Sequence, residues 1–500
     1  MSKQIHVQLC WNTIAVSPDG KSALPADIRA ILEPNLRYQY RKLLRGQDAY
    51  AFDGTRRPIQ IEIKLLYMYD KYGRLVCGAG LMPRVMKLLT EAGLDITTED
   101  VTSVHQRVNR YTMDWDNLVR NFQFRAKQDL AITAIADSTR GIIDAPTGFG
   151  KSFLFKALGL LYTKARIVIT TKRKDLVEAT RIHLSKDLPN IGQVGGGMNK
   201  PGRITVCTAD SLHKLNPEDV DILIGEEVHE LAAPTYSTAL VKFKWARMFG
   251  FSGSPTGRMD NADMKLESLF GPVIFHMSYQ EAVNLGLVVP IQVRWIDINL
   301  PNNPAEGLID VPRQRHGIWR NEGRNERIAQ VAREFAEDEQ VLIMVTTFDH
   351  AVALRQFLPE FTLCYAERSD DTTFNSHVKN GRLPEDEPIM TGKRRQELRQ
   401  KFERGELKKV IATDVWSTGV SFDSLAVMIR ADARSSEIMD TQMPGRVCRL
   451  HTDKPVGLVI DCLDQFDSGF RTAARKRQKN YEAKGWAQEK PGYGRRLMPN

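Results

Sequence analysis

Eight residues, Ala145-Pro-Thr-Gly-Phe-Gly-Lys-Ser152, directly follow the short apolar run GIIDA. A strand that enters a glycine-rich turn and then a helix aims backbone N–H groups at phosphate oxygens. In that setting Lys151 reaches the β- and γ-phosphates of a nucleotide, and the Ser152 hydroxyl can ligate Mg²⁺. Thr147, Gly148 and Gly150 fill the turn, and the two glycines admit a phosphate where a Cβ would hold it off. A strict phosphate loop begins on glycine; this chain has Ala145 there. Two further clusters carry chemistry. DILIGEEVHEL (221–231) ends an apolar run on Glu226 and Glu227, and TQMPGRVCRL (441–450) holds Arg446 and Arg449 three apart. Arginines at that spacing share one face of a helix.

The elements around these clusters read as a parallel α/β architecture. From about residue 114, short apolar strands (GIIDA, RIVITT, RITVCT, DILIGE, MFGFSG) alternate with helical segments. A second series follows residue 301, with QVLIMVTT, FTLCYA, KKVIATDV, LAVMIRA and GLVIDCL. The duplication predicts two doubly wound domains in tandem, 113–289 and 305–470, joined by a connector at 290–304. Residues 1–112 read differently. IHVQLCWNTIAV and PIQIEIKLLYMYD have strand patterning, and in 81–94 Leu81, Val85, Leu88 and Leu89 line one helical face before Gly93. That stretch is expected to be a small α+β domain without a catalytic constellation.

A chain of 500 residues is too long for one core and suggests roughly three domains. No apolar run approaches the roughly 20 residues of a bilayer span, and the start, MSKQIHVQLCWN, lacks the apolar core of a signal peptide. The six scattered cysteines include no CxxC pair, which fits reduced thiols and a cytoplasmic location. A net charge of +9 favours a polyanionic partner. The segment 471–500, expected as a basic tail, holds nine Lys or Arg against two Glu, with Tyr481, Trp486 and Tyr493 interleaved. Two readings of it stand: a tail that grips phosphates and stacks on bases, or a solvated helix with a frayed end.

The phosphate loop in its AxTGxGKS form, followed in order by the other clusters, resembles superfamily 2 helicases over about residues 122–450. The resemblance implies two tandem RecA-like domains behind the N-terminal α+β domain, with ATP and Mg²⁺ as cofactors. It makes FQFRAKQ (122–128) the adenine-reading element, with Gln128 as the base contact and Arg125 beside it. DILIGEEVHEL becomes the DExH box: Glu226 holds the metal and Glu227 polarises water, with His229 following. The family usually has Asp at the position of Glu226, one methylene shorter. FSGSPTGR (251–258) resembles motif III, whose Ser252 and Ser254 couple the ATP site to the nucleic-acid groove. KKVIATDVWSTGVSFDSL (408–425) resembles motif V, placing Thr413 at a phosphate and Gly419 near the nucleotide; Thr418 and Ser421 stand where the family often has acids. Gln442, Gly445, Arg446 and Arg449 match motif VI, QxxGRxxR, which implies that both arginines reach the γ-phosphate from the second domain and that hydrolysis needs a closed cleft. Thr170 and Thr171, Thr208 and Ser211, and Thr346 and Thr347 occupy the nucleic-acid motifs Ia, Ib and IV.

Within the superfamily, SYQEAVNLGLVVPIQV (278–293) and GRNERIAQVAREF (323–335) resemble DNA translocases near RecG and the restriction-type motors. YDKYGRLVCGAGLMPRVMKLL (69–89) is similar to the N-terminal region of phage branch-migration helicases of the UvsW type. The implied function is remodelling of branched or forked DNA in recombination or repair, in the host cytoplasm if the chain is viral. Two alternatives remain: an RNA helicase or duplex translocase with the same motor, and a nucleic-acid-binding scaffold with a degenerate ATPase.

Overall fold

A computed structural model describes residues 4–43, 59–101, 110–253, 263–366, 372–416, 422–451 and 454–489. The chain divides into two units. One holds Met1–Ala145 with Gly150–Met277, the other Ser278–Asn500 with Pro146–Phe149.

The first unit contains two main sheets. At its N-terminal end, strands Gln4–Cys10 and Thr13–Ser17 form a tight hairpin around Trp11, whose φ is +57°. They sit in a five-stranded mixed sheet in the order Tyr67–Tyr69, Leu75–Gly78, Thr13–Ser17, Gln4–Cys10, Asp95–Asp100. Helices Ala26–Leu32 and Met82–Glu91 supply Ile28, Leu32, Val85 and Leu89 to its core. The second helix stops as expected, with Gly93 at φ +72° just beyond its end. The expected α+β domain is therefore present as a separate sheet and core.

This domain is packed on the parallel sheet of the same unit. Gly78 and Gly80 lie against the helix Asp263–Phe270, and a Cβ would fall 2.2 Å from Ser268 Oγ and 2.0 Å from the Glu267 carbonyl respectively. Only glycine allows that approach. Arg84 grips Glu267 through two hydrogen bonds of 3.0 and 2.6 Å, Asn12 donates to the Val241 carbonyl at 2.8 Å, and the Arg140 guanidinium donates to the Asn12 side chain.

The parallel sheet has eight strands. Its order is Met198–Lys200, Ile191–Gly195, Ile204–Thr208, Ile167–Thr171, Ile222–Glu226, Arg247–Ser252, Arg140–Asp144, Val273–His276, with only the first pair antiparallel. Its central strands are mostly apolar and enclosed because helices cover both faces; Ile167–Thr171 and Ile204–Thr208 are buried at every residue.

The second unit is built on seven strands, all parallel: Thr362–Cys364, Lys409–Ala412, Val341–Met344, Val427–Arg430, Gly457–Asp464, Ile291–Ile298, Ala487–Glu489. Two expectations are corrected here. The segment 290–304 is not a free connector, because Ile291–Ile298 pairs along its whole length with Gly457–Asp464. Its Ile291, Val293, Trp295, Ile296 and Ile298 are buried. Nor is 471–489 a tail: helix Ser468–Ala483 runs into the edge strand Ala487–Glu489. Tyr481 and Trp486 are buried and stacked on each other, with ring centroids 5.2 Å apart, so neither is presented to a base. Residues 490–500, with Tyr493, lie outside the described residues. No helix among the described residues is long and apolar enough to cross a membrane.

His350, on the helix Phe348–Arg355, is fully enclosed and neither ring nitrogen has a hydrogen-bond partner. Burial, reinforced by the Arg324 charge against the opposing Asp432 and Asp349, pushes its pKa down to about 3. The ring is neutral in the fold, yet protonates in the unfolded chain below about pH 6.5. Its contribution to stability is complete above that pH and is lost as pH falls toward the folded value. His350→Leu should therefore flatten the fall of Tm between about pH 6.5 and 4; an unchanged slope in a thermal melt series would refute this.

Candidate nucleotide-hydrolysis site

In the first unit the strand Arg140–Asp144 lies between Arg247–Ser252 and Val273–His276 and delivers the chain to the glycine turn. Gly148 and Gly150 have φ of +94° and +89°, a region closed to most residues with a Cβ. A Cβ on Gly150 would also fall 2.7 Å from Gln128 Nε2. Helix Lys151–Leu161 begins immediately, anchored by buried Leu154, Phe155, Ala157 and Leu158. Its first amides and macrodipole favour an anion at that end. Lys151 Nζ donates to the Ala145 carbonyl at 2.8 Å, which holds the ammonium over the turn. The Ala145 amide is tied to the Ser252 carbonyl at 3.1 Å.

Gln128 opens the helix Gln128–Ala136 and is buried, its Oε1 accepting from the Arg125 amide at 3.0 Å. Arg125 lies over the Phe153 ring at 5.3 Å. The predicted base-reading pair thus borders the phosphate loop.

Glu226 ends the strand Ile222–Glu226, and its Oε2 is enclosed with no hydrogen-bond partner. Burial first, and then the neighbouring Glu227 charge, push its pKa up to about 8, against the pull of Lys151 and the Thr180 hydroxyl. A carboxylate oxygen left unsatisfied beside a second acid is an environment that a divalent cation relieves. The donor set of Glu226 and Ser152 fits Mg²⁺, which usually takes one or two protein ligands and completes its shell with phosphate and water. Among the described residues no cluster of three His, Cys, Asp or Glu could hold a metal.

Glu227 has φ of +51°, a left-handed backbone unusual outside glycine and recurrent at functional sites. Its Oε2 lies 3.5 Å from His229 Nδ1, which hydrogen-bonds Ser252 Oγ at 3.0 Å. His229 and Ser252 are both buried. Ser252, expected to couple the site, therefore touches His229 of the acidic segment, while Ser254 lies outside the described residues. A further contact was not read from the sequence: Asp144, where its strand meets the loop, pairs with His276 at 2.8 Å. No local pattern announces it, because the partner arrives on a neighbouring strand.

In the second unit, helix Glu437–Gln442 is capped by Ser436, which accepts from the Met439 amide at 3.2 Å, and carries Gln442 as its last residue. The expectation of two arginines on one α-helical face is corrected. Pro444 cannot donate to an α-helix, so the chain tightens into the 3₁₀ turn Pro444–Arg446 and leaves Arg449 beyond it. Arg446 is buried; Arg449 lies 3.5 Å from Asp423. Thr413 follows the strand Lys409–Ala412, whereas Thr418, Gly419 and Ser421 lie outside the described residues.

The predicted nucleic-acid hydroxyls are mostly turned inward. Thr170 and Thr171 are fully buried, Thr208 donates to Ser211 at 2.9 Å with both buried, and Thr413 is buried. Thr346 donates to the Asp432 carbonyl at 3.3 Å, and Thr347 caps the helix Phe348–Arg355 by accepting from the His350 amide. A threonine ending a parallel strand covered on both faces is enclosed with the core, and the Thr170 and Thr171 hydroxyls have no hydrogen-bond partner there. Exposed beyond these strand ends are Lys172 and Lys174 after the strand Ile167–Thr171, and Asp210, His213 and Lys214 after the strand Ile204–Thr208.

Residues 121–257 match the family model of the type III restriction enzyme res subunit, and residues 324–451 that of the helicase conserved C-terminal domain. The DNA 3'-5' translocase XPB2 of Sulfurisphaera tokodaii is 24% identical over 383 residues, which cover 71% of this chain and 85% of that protein. The ATP-dependent DNA helicase uvsW of Enterobacteria phage T4 is 22% identical over 373 residues, 68% of each. Among solved structures, S. cerevisiae Dbp5 bound to RNA and ADP BeF3 shares the fold, with a TM-score of 0.51 and 13% identity over 78% of this chain and 96% of that one.

Proposed function

The chain is an ATP-dependent superfamily 2 helicase, and on that premise we propose that it translocates along DNA and remodels branched or forked structures in recombination and repair. What carries the reading is the strand end where Glu227 meets the buried His229–Ser252 pair beside the Lys151 helix. A hydrolytic carboxylate is linked there to a second motif segment, the arrangement a motor needs and a passive binding scaffold does not. DNA as the track is supported by the relatives named a DNA translocase and a DNA helicase. The N-terminal domain, fixed on the first motor domain through Gly78, Gly80 and Arg84, offers a rigid platform for a duplex arm.

In the proposed cycle the amides of residues 147–152 and Lys151 bind the phosphates, and Gln128 orients the base. Glu226 and Ser152 would hold Mg²⁺, which supplies charge compensation on the phosphate oxygens. Glu227 accepts the proton of the attacking water. Arg446 and Arg449 compensate charge that develops on the transferred phosphoryl group. Exposed Lys172, Lys174 and Lys214 meet the backbone of the track without reading its sequence.

The test is the ATPase rate without nucleic acid and with single-stranded DNA, duplex, four-way junction and the matching RNAs, with Lys151→Ala as control. Strong stimulation by branched DNA and little by RNA is expected. Preferential stimulation by RNA would make the chain an RNA motor, and no hydrolysis on any substrate would leave it a scaffold.

A further inference from the structure

The seam between the N-terminal sheet and the parallel sheet of the same unit holds a cavity that the proposed chemistry does not use. Its volume is about 540 Å³, in the usual range of small-molecule sites. Trp11, Leu65, Tyr67, Met68, Met248 and Leu269 give it an apolar wall. Two residues of its lining are charged, Arg140 and Lys244, and both are cations. A second cavity of similar size also reaches Trp11, Arg140 and Lys244, but there Asp100 joins the lining. The first is thus apolar and purely cationic.

Arg140 opens the strand Arg140–Asp144. Its Nη1 donates to the Leu269 carbonyl at 2.7 Å, and its Nη2 donates to the side-chain oxygen of Asn12. Both acceptors are neutral. Burial pulls the Arg140 pKa down to about 10, and among the described residues no acid offsets that pull. The fully buried arginines of the second unit differ: Arg324, Arg430 and Arg477 each hold an aspartate at 3.0 Å or less. An enclosed charge is costly unless an opposite charge and hydrogen bonds compensate it. Arg140 has the hydrogen bonds and lacks the opposite charge.

The turn beside it is strained. Cys10 pairs with Thr13, so Trp11 and Asn12 alone join the two strands, and Trp11 adopts φ of +57°, costly for so bulky a residue. The Asn12 carbonyl accepts from the Ala79 amide at 2.7 Å, which fixes the turn on the seam. The Trp11 ring lies 5.3 Å from the Trp245 ring, with the Lys244 ammonium 5.2 Å over it. An indole and two cations therefore border the same apolar space.

We propose that this cavity binds a small amphipathic anion, an organic acid whose apolar body lies among Trp11, Tyr67 and Met68 and whose acidic group pairs with Arg140 and Lys244. The occupant supplies the charge that Arg140 lacks. It touches both the N-terminal sheet and the parallel sheet, so its binding stabilises their seam. The recognised chemistry is one acidic group on an apolar body, which a fatty acid and an aromatic acid share.

The test uses the full chain with a non-hydrolysable MgATP analogue present, so that the nucleotide site is filled. Anilinonaphthalene sulfonate, an aromatic body with one sulfonate, is titrated by fluorescence, and decanoate, naphthoate and decanol compete with it. Saturable binding is expected, with the better acid displacing the probe at least about tenfold more effectively than decanol, which has no charge. The order of decanoate and naphthoate identifies the body as aliphatic or aromatic. Lys244→Glu, at an exposed position, should weaken probe binding about tenfold without moving the melting curve. Arg140→Gln should weaken it at least as much, and Lys244→Glu alone decides the matter if Arg140→Gln melts early. Wild-type affinity in Lys244→Glu, decanol competing as well as the acids, or no saturable binding to the wild type would each overturn the inference.

Discussion

Glu227→Gln is expected to bind MgATP as tightly as the wild type and to hydrolyse it about 10²- to 10⁴-fold more slowly. The amide keeps the shape of the side chain but cannot accept the proton of the attacking water. The backbone should be undisturbed, since Gln meets the same cost at φ +51° as Glu does. The contact with His229 Nδ1 at 3.5 Å is long enough that its loss costs little stability. Single-turnover phosphate release, with nucleotide binding followed by a fluorescent ATP analogue, separates the steps. Turnover near the wild-type rate would remove Glu227 from the role of base and shift attention to Glu226, the other carboxylate at that strand end.

Arg446→Ala should lower kcat by about 10³-fold or more with a small change in KM for ATP, the signature of a group that acts on transition-state charge. The residue is 5% exposed on a turn imposed by Pro444, so its rotamer is constrained before any nucleotide binds. Arg446→Lys should recover little, because a point charge replaces a planar fork. Arg449→Ala should cost less, as Arg449 is more exposed and already lies 3.5 Å from Asp423. Equal losses at both positions, or a KM effect larger than the kcat effect, would show that the arginines bind ground-state nucleotide instead. A melting curve for Arg446→Ala distinguishes a lost charge from a lost fold.

The phosphate loop, the acidic strand end and the order of the motifs were legible in the amino-acid sequence because each depends on neighbours in the chain. A strand, a glycine turn and a helix need no distant partner to be recognised, and Gly148 and Gly150 both lie in that turn with positive φ. The ten strands read from apolar runs are present for the same reason. Tertiary structure decided what each exposed-looking polar or aromatic group faces. Thr170, Thr171 and Thr208 looked like a phosphate grip and are enclosed by a sheet covered on both sides. Tyr481 and Trp486 looked like a stacking tail and close the core behind Arg430. The run 291–298 looked like a connector because its pairing partner, Gly457–Asp464, lies far along the chain. Strand pairing, the buried pairs Arg324–Asp464 and Arg477–Asp461 and the Asp144–His276 contact all join residues remote in sequence, where periodicity and propensity carry no information about partners.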